Sequence, residues 1–206
     1  MITEVQIYVE GGGDGKEGKA LVRQSFGQFL NDLRNVARSR SIRWQIISCG
    51  PRNAAFRNFQ YALRDHPDAF NILLVDAEAP VNDTPLRHLH HQAGWQTSGL
   101  VDEQCHLMVQ VMEAWLIADI EMLKRFYGQG FNAKPIPNNP NVEAIPKQTI
   151  ASALRAATHN TTKGEYHKIR HGPKLLEQLN VDSVRERATH CDRLFQILTQ
   201  KMEMTN

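Results

Sequence analysis

Three acidic side chains end or follow two segments of this chain that have the composition of β-strands. Glu10 ends the segment VQIYVE (residues 5–10), and Asp76 ends the apolar run NILLVD (residues 71–76), with Glu78 two residues further on. Because the carboxyl ends of parallel strands meet at one edge of a sheet, we expect these carboxylates to lie close together. Converging carboxylates bind hard divalent cations, and such cations assist phosphodiester hydrolysis. The pattern therefore favours a metal site.

The glycine-rich stretch after the first of these segments permits two other interpretations. The sequence GDGKEGK (residues 13–19) has the frame G-x-x-x-x-G-K of a phosphate-binding loop placed between a strand and a helix. The frame departs from that motif at Ala20, where Ser or Thr should hold magnesium, and it has Asp14 and Glu17 where backbone amides should surround phosphates. A nucleotide-binding ATPase or GTPase that uses Gly13 to Lys19 stays an alternative, as does a glycine-rich solvent loop.

The elements that must position the acids alternate between strand and helix patterns. Apolar residues recur with a period of two, or as continuous runs, in the predicted strands, and at spacings of three and four in the predicted helices. The predicted strands are residues 5–10, 42–48, 71–76 and 105–111, and the predicted helices are residues 19–40, a segment after Gly50-Pro51, residues 85–92, and a segment from Met112. This order predicts an α/β fold with a parallel sheet and helices on both faces.

The chain divides into three parts by composition. Residues 1–127 hold the predicted α/β core, and residues 128–146 contain four prolines, which predict an extended loop or lid. Residues 147–206 have the pattern of three or four helices, which we expect to form an extension packed on the core. A chain of 206 residues with 41% hydrophobic residues can bury one core of this size.

Composition excludes several classes of protein. The amino-terminal segment and the later apolar runs are too short for a membrane span, and the three cysteines are far apart without a CxxC pair. We therefore expect a cytoplasmic protein without membrane contact, disulfide framework or thiolate zinc site. Aromatic residues make up 7% of the chain and do not alternate with the basic ones, so no aromatic stacking platform for single strands is indicated.

The acidic motifs resemble a known family. The pattern E-G-x-x-D at residues 10–14 and D-x-E at residues 76–78 resembles the Toprim domain, whose second motif is D-x-D, and is similar to the Toprim nucleases of the overcoming-lysogenization-defect group. The longer pattern VEGGGDGK, LLVDAEAPV, MEAWLIAD (residues 112–119) and YHKIRHG (residues 166–172) resembles the bacterial family catalogued as domain of unknown function 4276.

The resemblance implies a set of ligands for Mg²⁺ or Mn²⁺. These ligands are Glu10, Asp14, Asp76, Glu78, Glu113 and Asp119. Glu113 would bind a second ion, although an acid in the first turn of a helix is also favoured by the helix dipole alone. Asp119 lies on an apolar helical stripe, where an unpaired acid is costly, so it needs a partner. That partner is either the metal site, a basic side chain, or the first amides of a helix that starts at Ile120.

Basic residues cluster late in the chain. The predicted nucleic-acid contacts are Lys163, Arg170, His171 and Lys174 in this cluster, and Lys16 near the start of the chain. Lys168 is the predicted charge stabiliser of the transition state and, with Glu10, Asp76 and Glu78, completes the predicted catalytic set. A solvated helix face is the alternative for the basic cluster. The run RHLHH with His88, His90 and His91 lacks a second ligand pair at zinc spacing, which favours a polar segment over a zinc site.

The resemblance implies a magnesium- or manganese-dependent endonuclease that hydrolyses phosphodiesters of DNA or RNA, with DNA or tRNA as substrate. Related families act beside an ABC-type ATPase in bacterial defence against phage, so such a partner is expected here. A subunit that keeps the fold but only binds nucleic acid or a partner is the alternative, because Glu78 replaces the usual aspartate.

Overall fold

The computed structural model describes residues 2–204 and has a four-stranded sheet at its centre. All strand pairs are parallel, and the strand order is β2-β1-β3-β4. The strands are β1 (Glu4–Glu10), β2 (Arg43–Gly50), β3 (Phe70–Asp76) and β4 (Cys105–Met108). The predicted α/β class with a parallel sheet is therefore confirmed. The two ends of the chain, residue 1 of the predicted core and residues 205–206 of the predicted extension, lie outside the described residues.

Helices connect the strands and continue beyond the sheet. Between successive strands lie α1 (Lys16–Phe29) and α2 (Asn31–Ser39), then α3 (Arg52–Asp65), then α4 (Pro85–Ala93). After the sheet come α5 (Glu113–Ala118), α6 (Ile120–Tyr127), α7 (Lys147–Thr158), α8 (Lys168–Leu176), α9 (Val181–Arg187) and α10 (Thr189–Glu203). Two short 3₁₀ turns, Asp102–Gln104 and Val142–Ala144, complete the elements. In the described part of the chain, no helix is long and apolar enough to cross a membrane.

The central strands are buried because helices pack on both faces of the sheet. On one face, Phe29 of α1 stacks on Trp115 of α5, with ring centroids 5.2 Å apart. On the other face, Phe56 of α3 stacks on Trp95 at 4.2 Å. The carboxy-terminal helices add apolar side chains, such as Phe195 of α10, to the first cluster. Burial of both faces explains the continuous apolar run of β3 in the sequence.

Two predicted helices are each divided in the structure. The helix predicted over residues 19–40 breaks at Leu30, which is fully buried and has non-helical backbone angles. The apolar periodicity continues through this break because both helices pack against the same cluster. The helix predicted from Met112 is divided at Asp119, and the predicted strand over residues 105–111 ends at Met108.

The proline-rich segment of residues 128–146 packs against the core. Ile136, Val142 and Ile145 in this segment are buried. Arg187 of α9 donates to the Asn139 carbonyl at 2.6 Å and to the Ala118 carbonyl at 2.9 Å, so it joins the segment to the end of α5. The segment is therefore an ordered connection that leads the chain from α6 to Lys147, the first residue of α7.

Candidate functional site

Three carboxylates meet at the carboxyl edge of the sheet. Glu10 is the last residue of β1, Asp76 is the last residue of β3, and Glu78 follows two residues later. One carboxylate oxygen of each residue lies within 4.8 Å of the corresponding oxygens of the other two. Among the described residues, this is the only group of three or more His, Cys, Asp or Glu side chains with that geometry. The neighbouring parallel strands β1 and β3 bring the acids together, as their positions at strand ends predict.

A tight turn after β1 allows this approach. The backbone of Gly12 packs against Lys19 of α1, and a Cβ atom added at Gly12 would lie 2.7 Å from the Lys19 backbone. A Cβ atom added at Gly50 would lie 2.4 Å from the Gly13 carbonyl oxygen. Both glycines have positive φ, a conformation that other residues rarely adopt. The glycines of this stretch therefore bring the ends of β1 and β2 and the start of α1 into contact.

Asp76 is the anchor of the cluster. It is 3% exposed, and its Oδ1 accepts a hydrogen bond of 2.8 Å from the Met112 amide. Its own amide donates to Glu10 Oε2 at 3.1 Å, which links the ends of the two strands. The Asp76 carbonyl accepts a bond of 3.1 Å from Nε of Arg52, whose guanidinium lies over the Trp95 ring. These contacts hold the carboxylate in one orientation.

Lys168 provides positive charge beside Asp76. Its Nζ lies 3.4 Å from Asp76 Oδ2 and 3.4 Å from Glu113 Oε2, so the lysine bridges two buried acids. Glu113 also accepts a hydrogen bond of 3.1 Å from the Tyr166 hydroxyl. Residues from α5 and from the start of α8 are thereby brought to the end of β3, although they are far apart in sequence.

Glu78 is held by a second lysine. Lys147, at the start of α7, forms an ion pair with Glu78 Oε2. Gln110 supports both partners, because its carbonyl accepts the Glu78 amide at 2.8 Å and its side-chain oxygen accepts the Lys147 amide at 3.2 Å. Glu78 has φ of 67°, an uncommon conformation for a residue with a side chain. The α7 terminus therefore closes one side of the cluster.

The electrostatics of the site favour a bound cation. Burial and the charge of Asp76 raise the pKa of Glu10 to about 7. Burial, with added repulsion from Glu113 and Glu78, raises the pKa of Asp76 to about 6, although Lys168 opposes the shift. For Lys168, burial lowers the pKa, but attraction to Asp76 and Glu113 is larger in sum and raises it above its ordinary range. The positive charge near Glu10 and Asp76 is thus too small to keep their pKa values in the ordinary range, whereas Lys168 is fully charged.

The raised pKa values predict that stability depends on pH when no metal is present. The folded state keeps protons that the unfolded state has released, so this contribution is complete below the unfolded pKa values and is lost as the pH rises through about 6 and 7. We expect the free energy of unfolding in EDTA to fall by about 1 kcal/mol between about pH 6.5 and about pH 8. Urea denaturation at the two pH values measures it.

The control for this effect is Glu10→Gln, which should remove most of the pH dependence. Addition of Mg²⁺ or Mn²⁺ at about pH 8 should restore stability in the wild type, because the cation replaces the lost protons at the carboxylates. An equal pH dependence in the wild type and in Glu10→Gln would contradict the assignment of the effect to this cluster.

Three acids of the predicted ligand set, Asp14, Asp119 and Glu113, lie outside the group of three. Asp14 is exposed in the turn between β1 and α1. Asp119 is buried, but its two oxygens accept hydrogen bonds of 2.9 Å from the amides of Met122 and Asn180. It caps α6 and joins it to the start of α9, which is the helix-capping alternative from the sequence. Glu113, the third, contacts Lys168 beside Asp76 but does not belong to the group of three.

Asp119 is therefore predicted to affect stability and not metal binding. Asp119→Ala leaves two amides without their acceptors and should lower the free energy of unfolding by about 2–4 kcal/mol in urea denaturation. Glu121→Ala, an exposed residue of the same helix, is the control and should change little. A loss of Mn²⁺ affinity in folded Asp119→Ala would show instead that Asp119 serves the site.

The predicted nucleic-acid contacts differ in their exposure. Lys16, Lys163, Arg170 and Lys174 are exposed, and Lys16 is the first residue of α1. His171 is buried, and its Nδ1 accepts a hydrogen bond of 3.0 Å from the Tyr127 hydroxyl. Burial, with nearby positive charges, lowers the pKa of His171. His171 is therefore a packing residue in this structure, in contrast to the surface contact expected from the sequence.

The histidines of α4 also make structural contacts. His88 is buried, and its Nε2 lies 2.9 Å from the Ala77 carbonyl. His90 Nδ1 lies 2.9 Å from the Trp95 carbonyl. His88 thus contacts the backbone of Ala77, the residue between Asp76 and Glu78.

Sequence reasoning did not identify three residues that touch the cluster. Arg52 could have been found, because it follows Gly50-Pro51 at the carboxyl end of β2 and therefore at the same edge of the sheet. Lys147 and Gln110 carry no local signal. Lys147 is 69 positions from Glu78 in sequence, and only the packing of α7 brings it to the site.

The donor set is of the kind that holds Mg²⁺ or Mn²⁺. Three carboxylates offer oxygen ligands, which these hard cations prefer, and the group has no sulfur or imidazole ligand. The buried acids need added positive charge, as the raised pKa values of Glu10 and Asp76 indicate. The residues present thus fit a divalent cation.

Comparison with known families gives one match. A family described as "Domain of unknown function (DUF4276)" matches residues 9–199, which include every residue of the cluster. No curated protein and no solved structure matches the chain.

Proposed function

Since the chain belongs to the DUF4276 family, whose description names no activity, we propose from its site that it is a metal-dependent nuclease that hydrolyses phosphodiester bonds. The observation that carries this proposal is the meeting of Glu10, Asp76 and Glu78 at the carboxyl edge of the sheet, with Lys168 beside them. Carboxylates with an adjacent cationic side chain suit reactions in which negative charge develops on phosphate oxygens.

Glu10, Asp76 and Glu78 would hold Mg²⁺ or Mn²⁺. The bound cation would supply Lewis-acid polarisation of a phosphoryl oxygen and a water of lowered pKa. Asp76 is suited to hold the cation, because the hydrogen bond from the Met112 amide fixes its orientation.

Glu10 and Lys168 are the residues that would act on the substrate directly. Glu10 Oε2 already accepts the Asp76 amide, so Oε1 is the oxygen that would either bind the cation that activates water or accept a proton from the attacking water. The Lys168 ammonium can donate to a phosphate oxygen and offset charge that develops there.

The motifs E-G-x-x-D and D-x-E support the proposal further, because they resemble those of Toprim nucleases. On the same resemblance we propose DNA or tRNA as substrate and an ABC-type ATPase as partner in defence against phage. Exposed Lys16, Lys163, Arg170 and Lys174 can contact the phosphates of such a substrate.

The proposal is tested by incubation of supercoiled plasmid and of total tRNA with the protein in Mg²⁺, Mn²⁺ or EDTA. The wild type should cleave at least one substrate with metal and neither in EDTA, and Glu10→Gln should be inactive. Asp68→Asn, at an exposed acid before the amino end of β3, the end opposite Asp76, is the matched control and should cleave normally. Failure of the wild type to cleave either substrate with any divalent ion would overturn the proposal in favour of a non-catalytic binding subunit.

Lys147 provides a further prediction about the metal. Because it pairs with Glu78, a cation must compete with it for that carboxylate. The pair is partly exposed, with its side chains 33% and 38% accessible, so its contribution is at most about 1 kcal/mol. Lys147→Met should therefore raise Mn²⁺ affinity by up to about fivefold in calorimetric titration, and should lower the free energy of unfolding by no more than about 1 kcal/mol.

The matched control for this measurement is Lys134→Met, at an exposed lysine in the proline-rich segment. It should leave Mn²⁺ affinity unchanged. A decrease of affinity in Lys147→Met would mean that the lysine holds Glu78 in its binding conformation and does not compete with the cation.

A further inference from the structure

A cavity of about 280 Å³ opens beside the carboxylate cluster. Glu10, Asp76 and Lys168 form one part of its lining, called the inner end below, so the cavity is continuous with the proposed site. Its walls are apolar and come from α1 on one side and α8 on the other. The wall residues are Leu21, Val22, Phe26, Ile169, Pro173 and Leu176. A ligand that fits this space has an apolar body, and with a divalent cation on Glu10 and Asp76 its other end would be an anionic group beside that cation and Lys168.

The mouth of the cavity exposes large aliphatic side chains. Ile169 is 71% exposed and Leu21 is 41% exposed, and both line the cavity from opposite helices. Such surface is unfavourable in water and is stabilised when an apolar ligand covers it. The two exposed side chains flank the route that leads to Asp76 and Lys168.

Apart from the backbone of Gly11–Gly13, Gly18 and Gly50, the lining offers few groups that could distinguish one ligand edge from another. The Ser25 hydroxyl at the wall already donates to the Val22 carbonyl at 2.9 Å. The charged side chains of the lining are those of Glu10, Asp76 and Lys168 at the inner end. Recognition along the walls thus depends on shape and apolar contact.

We infer that this cavity binds one unpaired nucleobase next to the phosphate that is cleaved, an inference that rests on the proposed nuclease function. A nucleotide joins a flat ring system with apolar faces to an anionic phosphate, which would suit the apolar walls and, with a cation on the carboxylates, the inner end of the cavity. A paired base is stacked inside a duplex and cannot enter a pocket without leaving the stack. The substrate class is therefore single-stranded or locally unpaired nucleic acid, bound with little sequence preference because the side chains of the walls make apolar contacts that do not read base edges.

The first test measures binding separately from cleavage. A short fluorescein-labelled single strand, its duplex, and the same strand with abasic sites are titrated with the wild type in Ca²⁺, and anisotropy is recorded. The wild type should bind the intact single strand about tenfold more tightly than the duplex or the abasic strand. Equal affinity for the intact and abasic strands would overturn the inference.

Two variants at the mouth locate the effect. Leu21→Trp fills the cavity from its entrance, and Ile169→Ala removes apolar wall, and each should lower the single-strand affinity severalfold while the abasic strand binds as before. Val101→Trp, at another exposed aliphatic residue that precedes β4 and lies outside the lining, is the control. Thermal unfolding confirms that the variants fold. If neither variant changes the preference for the intact strand, the cavity is not the base site.

Cleavage in Mn²⁺ then separates this inference from the proposed function. Metal-dependent cleavage that treats single strands and duplex equally, with Leu21→Trp as active as the wild type, would overturn the base site and leave the nuclease proposal standing. A single-strand preference that depends on Leu21 and Ile169, without cleavage in any divalent ion, would support the base site and overturn the nuclease.

Discussion

Asp76→Asn is expected to lower the rate of metal-dependent cleavage by about a thousandfold or more. Asp76 is the most buried acid of the cluster, at 3% exposure, and it contacts the residues on both sides of the site. Asparagine keeps the size of the side chain but loses the negative charge that a divalent cation requires. A metal ion contributes several kcal/mol to the stabilisation of a phosphoryl transition state, which corresponds to this loss in rate.

The measurement combines the rate of plasmid or tRNA cleavage with calorimetric titration of Mn²⁺. Asp76→Asn should lose both cleavage and Mn²⁺ binding, whereas Asp68→Asn should keep both. Circular dichroism establishes that the variant is folded. Cleavage at an undiminished rate by folded Asp76→Asn would show that the cluster takes no part in the mechanism, since Asp76 is its most buried acid.

Lys168→Met is expected to lower kcat by about a hundredfold to a thousandfold, because the variant loses a cation that acts on charge developing at the phosphate. Its effect on metal binding should have the opposite sign. Removal of the ammonium that lies 3.4 Å from Asp76 leaves that carboxylate with less positive charge, so Mn²⁺ should bind more tightly. This split between activity and affinity distinguishes Lys168 from a ligand-orienting residue.

The matched control is Lys174→Met, at an exposed lysine of the same helix α8. It should keep kcat and Mn²⁺ affinity, with at most a weaker affinity for nucleic acid at high salt. Lys168→Arg keeps the charge and should retain part of the activity. An equal loss of kcat in Lys168→Met and Lys174→Met would show that α8 contributes only general charge.

The two proposals, a catalytic cluster and an adjacent base pocket, involve the same helix. Lys168 and Ile169 are neighbours at the start of α8, and one contacts the acids while the other lines the cavity mouth. A substrate base between α1 and α8 would place its phosphate at the inner end, near Lys168. This arrangement predicts that changes at Ile169 act on substrate affinity, whereas changes at Lys168 act on the rate of cleavage.

The sequence by itself determined the fold class and the location of the main acids. Strand and helix periods reflect side-chain burial, and β3 is a continuous apolar run because helices cover both faces of the sheet. Glu10 and Asp76 end strands that are neighbours and parallel, so the position of each acid at a strand end was enough to predict that they meet. The cap at Asp119 could also be anticipated, since an acid before a helical segment has a local signature.

Lys168 and Glu113 were candidates from the sequence, but only the tertiary structure decided the contacts by which these and other residues reach the acids. Lys147 and Lys168 lie 69 and 92 positions from the acids they pair with, and Tyr166 lies 53 positions from Glu113. Such contacts depend on how α7 and α8 pack on the sheet, which no periodicity within either helix specifies. The break at Leu30 and the burial of His171 have the same origin, because the direction of each helix is set by the side chains of its neighbours. Local pattern thus encodes which face of an element is buried, and packing selects the partners that it meets.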